Sequence, residues 1–104
     1  MSPHIKITKA DADYSRQIRE RAKFTCEKCG SKPHPKGLHA HHLFTRTIKA
    51  TRFDPDNGVA LCYACHMRAH QYQEDTRAFF AEKMGQARFD ALAARAHGRR
   101  DRVK

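Results

Sequence analysis

The stretch LHAHHLF at 38 to 44 places His39, His41 and His42 within four positions of a chain that has eight histidines in all. Neutral imidazoles ligate divalent cations. With an unperturbed pKa near ~6.5 they also accept a proton from water at neutral pH. Further along, Cys62, His66 and His70 recur every four residues, a spacing that drifts only ~40° per step on a helix. His66 and His70 can therefore hold one cation between them. His41 supplies a third imidazole from the preceding segment, and the three together predict a metal site.

The cysteines predict another. All four lie in two C-x-x-C pairs, Cys26/Cys29 in FTCEKCG and Cys62/Cys65 in LCYACH. Four thiolates close a tetrahedron around zinc at ~2.3 Å. The N-terminal MSPHIKITKADADYS has no apolar stretch suited to a signal peptide, so a reducing, cytoplasmic setting is expected, where disulfides do not persist. A thioredoxin-like dithiol needs a βαβ setting and only one pair. Structural zinc on Cys26, Cys29, Cys62 and Cys65 is thus the expectation, with Gly30 suiting the tight knuckle turn. In a chain of 104 residues, read as one domain over 1–104, the hydrophobic core is marginal and such a staple is needed.

Several elements must position these groups. DADYSRQIRERAKF at 11 to 24, with Asp11 as N-cap, carries Tyr14, Ile18, Ala22 and Phe24 near helical spacing. SKPHPKG at 31 to 37 reads as a loop and LHAHHLF as a strand. A basic connector, TRTIKATRFDPDNG, ends in a dense turn signal before the short strand VAL at 59 to 61, so the two strands make a hairpin. On a strand His39, His41 and Leu43 share one face and His42 takes the other. For His41 and His42 to act together, the strand must end or bulge at the doublet. The second cysteine pair opens a helix over about 62 to 72. A longer helix is expected over about 75 to 97, its stripe of Phe79, Phe80, Met84, Ala87, Ala91 and Leu92 packing on the first helix. A basic tail follows at 98–104. The two cysteine pairs are separated by the 32 residues 30 to 61, against ~15 to 20 in a plain zinc ribbon. The zinc therefore supports something besides itself.

Charge narrows the partner. The chain has 21 Lys and Arg against 11 Asp and Glu, a formal +10 with pI near 9.9, and nucleic acid is the commonest cytoplasmic polyanion. A membrane partner is not expected, because no apolar run approaches the ~18 residues of a span. Arg46, Lys49 and Arg52 cluster in the connector beside the doublet and read as phosphate contacts. His4, His34 and His97 read as surface residues. No base-reading element is evident, so weak sequence preference is expected.

With CEKC, HAHH, DNGVALC and YACH in this order, residues 26–70 resemble the HNH endonucleases. The resemblance implies an α+β, zinc-stapled ββα-metal domain, a β-hairpin plus helix, flanked by N- and C-terminal helices. It implies that His41 and His66 ligate a catalytic divalent cation, that His42 is the general base, and that Asn57 is the central asparagine. His70 matches a further helix histidine of the colicin-like branch and adds a third metal ligand. The implied function is metal-dependent hydrolysis of phosphodiester bonds in DNA, double-stranded by preference, by nicking or cutting. The implied catalytic cation is Mg²⁺, Mn²⁺ or another transition metal. From its two roles as a turn residue, Asn57 is expected to order the loop opposite the doublet or to orient His42. Phage or restriction settings are implied, in a bacterial or infected cell, with a homodimer or larger assembly as partner. The rival reading is a non-catalytic zinc module that binds nucleic acid. It leaves the His41–His42 pair, aligned with Asn57 and His66, without a purpose.

Overall fold

The computed structural model describes residues 7–33 and 37–103, with side chains described as far as residue 97. His4, His34 and the side chains of the basic tail at 98–104 lie outside the described residues. The elements are α1 (Lys9–Arg21), β1 (Leu38–His42), β2 (Gly58–Cys62), α2 (Tyr63–Gln71), α3 (Gln73–Met84) and α4 (Gln86–Val103). Two single 3-10 turns, Lys49–Thr51 and Pro55–Asn57, shape the connector between the strands. The architecture is α+β, with the hairpin and α2 forming a ββα unit.

Helix α1 starts earlier than the sequence suggests. Thr8 is its N-cap and Asp11 sits at N3, where the two residues form a capping box: the Asp11 amide donates to Thr8 Oγ1 at 3.3 Å and the Thr8 amide to Asp11 Oδ2 at 2.8 Å. It also ends earlier, because Lys23 and Phe24 turn left-handed at φ 56° and 54°. That turn leaves Phe24 36% exposed, whereas Tyr14 and Ile18 are buried against the hairpin.

The strands pair antiparallel with His41 opposite Val59 and His42 opposite Gly58. Tyr14, Ile18, Leu38, Val59, Ala60, Leu61, Ala69 and Phe80 form the core around this pair. At Gly58 the fit is close enough that a Cβ would lie 2.5 Å from the Tyr14 hydroxyl oxygen. Helix α1 is stitched to the start of β2: Tyr14 donates to the Asp54 carbonyl at 2.8 Å, and Arg21 donates to the carbonyls of Pro55 and Gly58 at 2.9 and 2.8 Å. The outer edge of β2 is covered by the first knuckle. There the Glu27 amide donates to the Ala60 carbonyl and the Ala60 amide to the Glu27 carboxylate, each at 2.8 Å.

The helix expected over 75 to 97 is two helices. Gly85 adopts φ 91°, conformational space open to glycine, and separates α3 from α4. The break resets the helical phase, so Phe80 and Leu92 are fully buried while Ala87 and Ala91 are exposed. Instead of continuing along α1, α4 packs on α3 and on the two connector turns. Arg95 anchors it to Asp54 at 2.7 Å, and Arg88 pairs with Asp56. No helix among the described residues is long and apolar enough to cross a membrane.

Candidate active site

The first knuckle forms because Gly30, at φ 81°, lets its amide reach the Cys26 carbonyl at 2.9 Å while the Cys26 amide donates to the Ser31 carbonyl at 2.8 Å. The second knuckle straddles the end of β2 and the first turn of α2. Together they bring the sulfurs of Cys26, Cys29, Cys62 and Cys65 within 4.8 Å of one another, all as free cysteines. The donor set fits a cation. Hydrogen bonds with Ser31 hold the Cys29 thiol down to about 6, whereas burial, then the neighbouring sulfurs, push Cys65 well up. A divalent charge among them removes that conflict, and four thiolates suit tetrahedral zinc.

A second cluster is formed by histidines. His41, His66 and His70 offer ring nitrogens within 4.8 Å of one another. Nε2 of His66 is 3.1 Å from Nε2 of His70, and the His41 ring centre is 5.2 and 5.1 Å from those of His66 and His70. His41 is 6% exposed. Burial first, and then the other histidines, pull both His41 and His66 down to about 4. Both are therefore neutral at pH 7, the form that donates a lone pair to a metal. Three imidazole nitrogens brought this close suit a divalent transition ion.

His42 faces away from this group. It closes β1, with its ring stacked on Tyr14 at a centroid separation of 5.0 Å and 29° between planes. Its Nε2 lies 3.1 Å from the Arg52 carbonyl. A carbonyl only accepts, so Nε2 carries the proton and Nδ1 carries the lone pair. Burial lowers the His42 pKa, opposed by that hydrogen bond and reinforced by the charge of Arg46. Strand β1 ends with His42.

Asn57 takes the loop-ordering role. Fully buried, its Nδ2 donates to the carbonyls of Phe44 at 2.8 Å and Thr51 at 3.0 Å, and its Oδ1 accepts from the Phe44 amide at 2.8 Å. Its own carbonyl accepts from the Leu43 amide at 3.0 Å. The side chain thus extends the hairpin ladder past the doublet and fixes the 3-10 turn that leads to Arg52, whose carbonyl holds His42. These contacts order the loop opposite the doublet, one of the two parts expected of Asn57.

The three basic residues of the connector part company. Arg46 is half-buried beside His42 and Lys49 is exposed on the first 3-10 turn. Arg52 is engaged within the fold: its Nε and Nη2 grip Asp11 at 3.0 and 2.6 Å, and the pair is largely buried. A guanidinium gripped by a carboxylate through Nε and Nη2 ties the connector to α1. Sequence reasoning also missed Tyr14, Asp11 and His39 as parts of the site. The last had a signal, since His39 and His41 share a strand face. Its Nδ1 lies 2.8 Å from Nδ1 of His66.

A model of the HNH endonuclease family matches residues 26–72. Neither the curated proteins nor the solved structures contain a match to this chain. The matched segment takes in both knuckles, the hairpin, Asn57 and all of α2, and over these residues the chain is similar to the HNH endonuclease family.

Proposed function

We propose that the chain is a metal-dependent DNA endonuclease acting in the cytoplasm, with one domain carrying both the structural zinc and the hydrolytic site. The observation that carries this reading is the division of the doublet: His41 joins His66 and His70 on one face of β1, while His42, one residue on, keeps an Nδ1 lone pair in a fixed ring. Binding alone needs no such arrangement.

His42 is the general base. Its ring is held by Tyr14 on one side and the Arg52 carbonyl at Nε2, so Nδ1 removes a proton from the attacking water. His41, His66 and His70 hold the cation. When bound there, a cation would supply neutralisation of charge on the phosphoryl oxygens and on the departing 3′ oxygen. Arg46 and Lys49 contact the DNA backbone near the base without reading sequence, and the products are nicked or cut duplexes with weak sequence preference. Cys26, Cys29, Cys62 and Cys65 would hold a structural zinc, and closing the two knuckles on it would fix α2 to the hairpin with His66 against His41.

Supercoiled plasmid incubated with the purified protein and Mg²⁺, Mn²⁺ or Ni²⁺ tests the reading. Conversion to open-circular or linear DNA, abolished by EDTA, supports it. Retarded but intact plasmid with every cation contradicts it and leaves a zinc-dependent binding module.

A further inference from the structure

His66 contributes to the metal triad only if the nitrogen it turns toward His70 and His41 is unprotonated. That nitrogen is Nε2, 3.1 Å from Nε2 of His70. The proton of the neutral ring must then sit on Nδ1, and the partner of Nδ1 is Nδ1 of His39 at 2.8 Å. His39 reaches it because β1 alternation puts it on the His41 face, opposite Leu61. Its ring meets His66 edge-on at 4.9 Å and 83°, and Tyr63, the first residue of α2, edge-on at 6.1 Å and 80°.

We propose that His39 is a positioning residue for metal binding, accepting a hydrogen bond from Nδ1–H of His66 so that the Nε2 lone pair is committed to the cation. The inference rests on the triad reading above. Ring partners of this kind fix both the tautomer and the orientation of a ligating histidine, and their loss costs about 10- to 100-fold in metal affinity.

The test uses the full chain with zinc at the cysteines. Ni²⁺ titrations by calorimetry compare wild type with His39→Ala, His39→Asn and His66→Ala, and long-range proton–nitrogen NMR reads the His66 tautomer before Ni²⁺ is added. The expected results are Nδ1–H on His66 in the wild type, affinity about 10- to 100-fold weaker in His39→Ala, and recovery of most of it in His39→Asn, whose side-chain oxygen takes the place of Nδ1. Wild-type affinity in His39→Ala, or an Nε2–H tautomer in the wild type, overturns the proposal. So does an Asn variant as weak as the Ala variant, which would make His39 itself a ligand. Should His39→Ala fail to fold, the wild-type tautomer and the Asn variant still decide. Unchanged Ni²⁺ binding in His66→Ala instead brings down the triad reading itself.

Discussion

The ring of His42 lies against that of Tyr14, 5.0 Å between centroids, and Tyr14 is itself pinned by its hydroxyl to the Asp54 carbonyl at 2.8 Å. The helix that precedes the first knuckle thus sets the orientation of the His42 ring in the hairpin. Tyr14→Phe keeps the stacking surface and loses one hydrogen bond, so its stability should fall by about 1 kcal/mol with cleavage little changed. Tyr14→Leu removes the flat surface, and a misdirected base should slow cleavage by up to about 100-fold. Denaturant melts and single-turnover plasmid assays separate the two effects.

Asn57 makes three side-chain hydrogen bonds to backbone groups from a fully buried position. Its replacement by alanine strands those groups, each at a cost of about 1–3 kcal/mol. A loss of about 3 kcal/mol or more is expected in urea unfolding of the zinc-loaded protein. Asn57→Asp should recover only part of it, because a carboxylate accepts from the Phe44 amide but donates to neither carbonyl.

The Arg52 guanidinium, aided by Thr8 and opposed by burial, holds the Asp11 carboxyl well below the usual carboxylate range. A carboxyl depressed in the folded state contributes stability that is complete above its unfolded pKa, about 3.9, and fades as pH falls toward the folded value. Acid titration of stability should therefore show a decline below about pH 4 that is shallower in Asp11→Asn. The Asn variant should also be less stable at pH 7. Equal slopes for both proteins would remove the pair from the account.

Metal removal should unfold the domain before it inactivates it. Zinc binding in small zinc domains is worth about 10 kcal/mol or more of folding free energy, and here the knuckles hold the edge of β2 and the start of α2. A strong chelator, or Cys26→Ser, is expected to abolish the cooperative thermal transition seen by circular dichroism. Removing only the cation of the histidine group should leave that transition in place.

How much of this could be read from the chain depended on distance along it. Cysteine pairs, the histidine doublet and the Asp54-Pro55-Asp56-Asn57-Gly58 turn announce themselves over a few residues, because knuckles, strands and turns are local geometry. The break at Gly85 was equally local but was hidden by an apolar stripe that runs across it. The tie of Arg52 to Asp11 is not legible locally, because the two lie 41 residues apart. The stacking of Tyr14 on His42 likewise exists only after α1 has docked on the hairpin. His39 stood in view on the His41 face, yet its use depended on where α2 would deliver His66.

Cleavage and Ni²⁺ binding measured side by side for wild type, His42→Ala and His41→Ala test the central claim most directly. His42→Ala should cut plasmid about 10²- to 10⁴-fold more slowly while binding Ni²⁺ as the wild type does, and His41→Ala should lose both. Wild-type cutting by His42→Ala, or loss of Ni²⁺ binding in it, would contradict the division of the doublet into a ligand and a base.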